Sequence, residues 1–430
     1  VMQDRRESRG EWRQGWTLVL AASIGFSFFS IMLAATGLFI GPLGAEFGWS
    51  RTLLSTGPSI ATLMTAVLSP FCGALIDRYG PRRLVLPGVL LTIGSIASFS
   101  LASGSAAQWI ALWVIFGLVA VTIKSTAWTA AVLGVFKKSK GLALGMTLAG
   151  TAVAQAIVPP LANWLITEFG WRAAFVWMAF GWGGLTFLLS LLFFVDGREK
   201  PKSGIEANEA TDHPALSGLT SRKALLDRAL WQVAISNFVV MALTMGLTIH
   251  LFPILTEAGV TRERAAWLVS LAGVAGIVGK LATGYLLDRL RPNWVGGITL
   301  GFAAFAFLLL LKNVTSPFFI VLAMLINGYA AGTKTQITGF LTASYGGMRN
   351  FGKIYGVMAA LMALASGVGP LLAGAIYDFS GGYGPFLILG TLGCLLGGLL
   401  MITLPAYPSW KDDDPLAVDD RPVDSTLRSA

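Results

Sequence analysis

Long apolar runs alternate with short polar, mostly basic stretches along the whole chain. The runs cover residues 16–43, 53–76, 84–103, 107–136, 141–167, 172–195, 229–256, 264–287, 294–311, 316–345, 354–377 and 383–405. A helix needs about 20 apolar residues to cross a bilayer, and each run is close to that length or longer. None shows the two-residue alternation of a membrane strand, and a backbone in lipid must satisfy its own hydrogen bonds. The pattern predicts an all-α polytopic membrane protein with twelve transmembrane helices.

The runs fall into two copies. After the second run stands Gly73-Ala-Leu-Ile-Asp-Arg-Tyr-Gly-Pro-Arg-Arg83, and 211 positions later Gly284-Tyr-Leu-Leu-Asp288-Arg289-Leu-Arg291-Pro292 repeats it in weakened form. Glu46 and Glu257, Gly48 and Gly259, Arg51 and Arg262, Gly170 and Gly381 keep the same offset. The organisation expected is an N-terminal segment 1–15, a six-helix bundle 16–195 and a polar linker 196–228 with a short surface helix near 221–227. A second six-helix bundle at 229–405 and a disordered tail at 406–430 complete it. Residues 1–16 are polar and basic and lead straight into a full-length span, so no cleavable signal peptide is expected.

Composition agrees with lipid as the solvent. Of 430 residues 55% are hydrophobic and 12% charged, with mean hydropathy +0.70. That is about half the charge of a soluble protein. The net charge of +9 does not point to nucleic acid, because the basic residues form short clusters between apolar runs. With the N-terminus inside, 23 Lys and Arg lie on the inner side and five on the outer. The positive-inside rule then puts both termini in the cytoplasm, in the cytoplasmic (inner) membrane. Asn313-Val314-Thr315 falls outside but at the membrane surface, so no glycan is expected on it. Cys72 and Cys394 lie inside apolar runs, which argues against a disulfide framework.

Three basic residues remain, Lys124, Lys280 and Lys334, in the fourth, eighth and tenth runs. Each is about 15 residues, or 22 Å of helix, from the outer end of its run and so near the midplane. Charges at that depth are costly and usually face a polar cavity. Every Asp and Glu lies in a loop, a tail or an interface. The economical countercharge for three buried cations is therefore an anionic substrate. Gln155, Asn237, Asn327 and Gln336 are further candidate cavity groups, with helix–helix hydrogen bonding as their plainer role. Phe29, Trp128 and Tyr329 are candidates for an apolar side of the site. His250 is the one membrane histidine and the candidate for proton coupling. Asp77, Arg78, Arg82, Arg83, Asp288 and Arg289, in the two inner motifs, are candidate gating residues. Two histidines and two isolated cysteines supply neither a nucleophile–base pair nor a metal cluster, so neither an enzyme nor a cofactor is expected.

These residues carry a resemblance. Twelve spans in two repeats, with Gly-x-x-x-Asp-Arg-x-Gly-x-Arg-Arg after the second, resemble the major facilitator superfamily. Glu46-Phe-Gly-Trp-Ser-Arg51, Lys140-Gly-Leu-Ala-Leu-Gly145, Phe169-Gly-Trp-Arg172 and Phe351-Gly-Lys-Ile-Tyr-Gly356 resemble its monocarboxylate transporter and oxalate/formate antiporter group. The resemblance implies two bundles rocking about a midplane site. It also implies a substrate-binding cation in span eight, eight residues before the end of the inner motif; Lys280, eight before Asp288, occupies that place in an Arg-to-Lys change. The basic residue that some monocarboxylate carriers place in span one is missing, with Phe26, Phe28 and Phe29 there instead. The implied function is transport of an organic carboxylate by alternating access, as proton-coupled import. Anion exchange is the alternative, and a drug/proton antiporter a further one. Partners expected are a small organic anion, protons and membrane lipid, with the chain working as a monomer.

Overall fold

The computed structural model describes residues 2–136, 140–194, 218–287, 289–311, 316–347 and 350–405. Lys137, Lys138, residues 195–217, Asp288, the sequon and the tail lie outside the described residues. Among the described residues the chain is helical, apart from one isolated bridge between Gly218 and Gly347.

The helices are α1 (Met2–Phe47), α2 (Arg51–Tyr79), α3 (Pro81–Ser98), α4 (Ala106–Ala120), α5 (Ser125–Val135), α6 (Lys140–Leu148), α7 (Gly150–Trp177) and α8 (Gly183–Phe193). A short α9 (Ser221–Ala224) leads into α10 (Arg228–Glu257), α11 (Arg262–Leu287), α12 (Pro292–Leu311), α13 (Pro317–Gly346), α14 (Phe351–Ser380) and α15 (Gly384–Ile402). Eleven helical stretches among the described residues are long and apolar enough to span a membrane. One of them, Leu142–Phe193, is 52 residues long and turns at Gly170, whose φ of 79° and ψ of 162° are outside helical geometry. Its two arms are the fifth and sixth runs, so the count agrees with twelve.

The two copies appear in the backbone as well as in the sequence. Gly48 and Gly259, 211 apart, both take positive φ (66° and 86°), and so do Gly170 and Gly381 (79° and 72°). An L side chain is strained in that region, which accounts for glycine at each place. The first eight helices form one bundle and α10–α15 the other. They meet where α2 packs on α14, α7 on α11 and α1 on α10. Within the second bundle small residues let helices approach closely: a Cβ on Gly332 of α13 would sit 2.1 Å from the Gly276 carbonyl of α11. Such contact replaces the hydrophobic drive that is missing between helices in lipid.

Trp12 of α1 packs at a tilt on Phe136 at the end of α5, and Gln232 of α10 donates to the Leu400 carbonyl of α15 at 2.7 Å. Gly37 of α1 meets Ile249 of α10 and Gly41 meets Arg262 just beyond it, so the two helices run in the same direction and their starts share one face with the end of α15. We call this face proximal and the opposite one distal.

The fourth run is not one continuous helix. After α4 the chain makes a tight turn over Val121–Ile123, and Lys124 is extended (φ −68°, ψ 166°) before α5 begins. The freed carbonyls find new donors: Trp128 Nε1 reaches Ile123 O at 2.7 Å and Cys72 Sγ reaches Val121 O at 3.3 Å. A break at membrane depth persists only where protein groups satisfy the backbone in this way.

Candidate functional site

A network of contacts joins the two bundles in the distal half. Ser50 caps α2, accepting from Leu53 N at 3.1 Å, and so fixes the start of that helix at the distal face. Asp378 of α14 then accepts from Arg51 N at 2.9 Å, Thr52 N at 2.8 Å and Thr52 Oγ1 at 2.5 Å. A carboxylate at a helix N-terminus meets both unpaired N–H groups and the positive end of the dipole. Beside it Arg51 Nη2 lies 2.5 Å from Glu257 Oε1, and the guanidinium stacks over Tyr377. Glu46, the repeat counterpart of Glu257, turns instead to Arg172 (2.7 Å) and Trp171 Nε1 (2.6 Å) inside its own bundle. The same position thus serves a local tie in one copy and a cross-bundle tie in the other.

One turn deeper, His250 is fully buried (0% exposed). Its Nε2 is 2.9 Å from Ser55 Oγ of the other bundle and 3.1 Å from Pro370 O; its Nδ1 is 2.8 Å from Tyr383 Oη. The Pro370 carbonyl can only accept, so the neutral tautomer that suits this site carries its proton on Nε2 and takes a hydrogen bond from Tyr383. Backbones close the rest of the distal gap. A Cβ on Gly37 would lie 2.5 Å from Ile249 O, and one on Gly374 would lie 2.9 Å from the Arg51 backbone. On the other flank Ser270 of α11 donates to the Ala156 carbonyl of α7, and Gly273 packs on Gln155.

Beneath this closure a cavity of about 240 Å³ lies between the bundles. Its walls come from Phe29 and Leu33 of α1, Pro58, Thr62 and Thr65 of α2, Trp113 and Phe116 of α4, Met245 of α10, and Ala363 and Ser366 of α14, with Lys124 beside them. The helix break delivers Lys124 to this wall, half-buried, and its Nζ donates to Ser69 Oγ at 2.8 Å. The start of α5 adds the positive end of its dipole beside the ammonium. Trp113 also lines the cavity, while its buried Nε1–H is pressed against Gly57 of α2 and has no acceptor among the described residues. Apolar walls with one cation among them suit a small anion with an apolar body.

Lys280 is exposed on α11. It follows Gly273 by seven residues, so it lies within about 20° of the face that meets α7 and about 10 Å further toward the proximal side. That places it on the inter-bundle face, proximal to the α7–α11 contact. Ser69, the partner of Lys124, is the repeat counterpart of Lys280, at the 211 offset. A cation from the α4–α5 break thus comes to stand, through Ser69, at the place in one bundle that Lys280 occupies in the other.

The remaining candidates do not join them. Lys334 is 3% exposed and donates to Thr244 Oγ1 of α10, so its ammonium is turned into its own bundle and away from the cavity wall. Its expected counterion is replaced by a neutral hydroxyl. Gln336 is exposed two residues on, about 200° round the helix, and faces nearly the opposite way. Asn237 and Asn327 are buried in α10 and α13, Asn237 with both side-chain polar atoms lacking partners among the described residues. Gln155 packs at the α7–α11 contact. Trp128 is fully buried, and Tyr329 Oη is 3.1 Å from Thr283 Oγ1 of α11. At the proximal motifs, Arg82 donates to Leu191 O at 3.0 Å, Arg83 is exposed, and Arg78 and Arg289 stack over Tyr79 and Tyr285. The Asp77 side chain and Asp288 lie outside the described residues.

Sequence reasoning missed the distal network. Arg51, Glu257 and Asp378 read as loop charges, and only the repeat pairs Glu46/Glu257 and Arg51/Arg262 hinted at a shared role.

The chain matches the family model described as Major Facilitator Superfamily over residues 20–333 and 233–425. Among curated relatives, an MFS-type transporter of Gibberella moniliformis is 27% identical over 393 residues, covering 87% of this chain and 88% of the relative. Monocarboxylate transporter 13 of Bos taurus is 24% identical over 409 residues, covering 93% and 90%. Monocarboxylate transporter 3 of Rattus norvegicus is 27% identical over 407 residues, covering 91% and 79%. Among solved structures, a bacterial homolog of the human lysosomal transporter Spinster, inward-facing and unoccupied, superposes with a TM-score of 0.66 at 17% identity, covering 92% of this chain and 98% of that one. A point mutant of the peptide transporter POT gives 0.70 at 14% identity, covering 90% and 93%. At such identities the structural likeness speaks for the fold.

Proposed function

This chain belongs to the major facilitator superfamily, and from that premise we propose that it carries a small organic carboxylate across the membrane by alternating access. The observation that carries the reading is the pair of cations on the inter-bundle faces. Lys124, held on Ser69, lines the cavity, Lys280 takes the equivalent place on the other bundle by the repeat, and no carboxylate lines the cavity among the described residues. The similarity to monocarboxylate transporters 13 and 3 supports the same substrate class.

With the proximal face cytoplasmic, the distal network is the outer gate and the structure is closed to the outside. Inside the cavity, a carboxylate entering from outside meets Lys124 first, with its apolar end against Phe29 and Phe116. Release follows toward Lys280 and the proximal side. Opening the outer gate must separate Arg51 from Glu257, Asp378 from the start of α2, and His250 from Ser55. We assign His250 to this gate rather than to the cavity: it exposes its ring only when the bundles part, and taking up a proton there accompanies the carboxylate as proton-coupled import. Anion exchange is the second reading, favoured by a cavity whose lining offers one cation, Lys124, and no carboxylate to relay a proton. The motif residues Asp77, Arg78, Arg82, Arg83, Asp288 and Arg289 are proposed for the inner gate.

Equilibrium binding to the purified chain, followed by tryptophan fluorescence, tests the substrate class. Small monocarboxylates are expected to quench, and their amides and the matching amines to have no effect. Equal binding of an acid and its amide would contradict an anion site.

A further inference from the structure

The repeat leaves one cation of the distal face without the partners its counterpart has. At the start of α2 the other bundle supplies two acids: Arg51 pairs with Glu257 at 2.5 Å, and Asp378 takes the backbone N–H groups of Arg51 and Thr52. Arg262, 211 positions after Arg51, starts α11 on the same face. Neither kind of acid serves it. Glu46, the counterpart of Glu257, is held by Arg172 and Trp171. The counterpart of Asp378 is Thr167, whose hydroxyl donates to Asn163 O inside α7. Glu263, beside Arg262 in sequence, and Glu168, beside Thr167, are exposed, and neither accepts from the buried Nη2 of Arg262.

The Arg262 side chain is nonetheless held in place. Its guanidinium lies over the ring of Phe252 of α10, 5.0 Å from the centroid, and its Nη1 is 3.7 Å from where a Cβ on Gly41 of α1 would sit. Its Nη2 is buried and has no acceptor among the described residues. A buried donor on a charged group costs more without an acceptor than a neutral one does. An anion from outside the chain would remove that cost.

Arg262 also stands at the distal end of the closed path. Phe252 follows Met245, which lines the central cavity, by seven residues. It therefore lies on the same face of α10 within about 20°, and about 10 Å further toward the distal side. Between them Ile249 meets Gly37 of α1. Met245, Ile249 and Phe252 thus lead from the cavity along the α1–α10 seam to Arg262, and Gly41 at the distal end of that seam is exposed.

We propose that Arg262 is an outer carboxylate site, which takes the anion at the distal mouth before it reaches Lys124 in the cavity. That the anion is a carboxylate rests on the transport reading above. A guanidinium offers a planar fork of donors that matches a carboxylate, and the Phe252 ring beneath keeps the fork in position. Two cations then stand in series on one path, the first a fork and the second a point charge.

Gly41→Cys in the Cys72→Ser, Cys394→Ala background tests this, because its Cβ would stand at ordinary contact distance from Arg262. The purified full chain is treated with neutral 2-hydroxyethyl methanethiosulfonate in the presence of propionate, propionamide or chloride. Propionate at about four times its Kd leaves about one site in five free, so modification should slow about fivefold. Propionamide and chloride should not protect. Adding Arg262→Gln should abolish the protection. Adding Arg264→Gln, two residues on and about 200° round α11, should keep it, and so should adding Lys124→Gln. Protection that survives Arg262→Gln would place the anion elsewhere, loss with Lys124→Gln would trace it to the cavity, and equal protection by chloride would remove the preference for carboxylate; each overturns the proposal. The transport reading fails separately: parent proteoliposomes that take up no carboxylate would refute it and leave protection at Gly41→Cys standing.

Discussion

Replacing Asp378 by Asn should loosen the outer gate by an amount the structure sets. The carboxylate takes three hydrogen bonds from the start of α2, two from backbone N–H and one from the Thr52 hydroxyl. An amide of the same shape keeps one acceptor oxygen, loses the charge, and presents an N–H₂ toward N–H groups. Hydrogen bonds to a charged acceptor contribute about 1.5–3 kcal/mol. Asp378 is exposed, and solvent screening brings ties of this kind down toward about 1 kcal/mol. A net loss of about 1–2 kcal/mol shifts the closed-to-open ratio about 5- to 30-fold, because the same contact is absent once the bundles part. Ser59, 1% exposed and one turn below Ser55, reports that state. In a Cys72→Ser, Cys394→Ala background, Ser59→Cys should react with a membrane-impermeant maleimide from outside 5- to 30-fold faster when Asp378→Asn is added. A rate within twofold of the parent, in protein that still transports, would refute the assignment of Asp378 to the gate.

Further substitutions separate roles that look alike in the sequence. Lys334→Met should leave the KM for transport within about threefold and the Tm equal or higher, since Thr244 still donates to Val240 O and no group is orphaned; a tenfold rise in KM would place Lys334 in the site after all. Gly37→Val should slow transport and raise Ser59→Cys labelling, because its Cβ would meet Ile249 O at 2.5 Å when the gate closes and overpacking costs about 1–3 kcal/mol. Ser69→Ala should weaken carboxylate binding modestly, by severalfold, because Lys124 loses the hydroxyl that orients it; a complete loss, or no effect, in the fluorescence assay would show that Ser69 does something else.

The spans, the two-copy architecture and the family were legible because each repeats: apolar length recurs twelve times and the inner motif twice. The three midplane lysines stood out when charge was set against depth. Their surroundings did not. Lys124 and Lys334 sit in near-equivalent runs, yet a helix break with no Pro or Gly turns the first to the cavity while an unbroken α13 turns the second into its bundle. The break depends on donors from Cys72, 49 positions before its acceptor, and from Trp128. The distal network escaped for the same reason, since Arg51 and Asp378 are 327 positions apart and neither has an unusual local sequence.

The central claim is that Lys124 and Lys280 bind a carboxylate in transit. The most direct measurement is uptake of a labelled panel of small carboxylates into proteoliposomes, with and without an inward proton gradient, for the parent, Lys280→Gln and Lys280→Arg. The account predicts carboxylate accumulation that is lost with Lys280→Gln and largely kept with Lys280→Arg, driven by the gradient for import or by a trapped internal anion for exchange. Movement of a lipophilic cation but no carboxylate, with Lys280→Gln behaving as the parent, would contradict it.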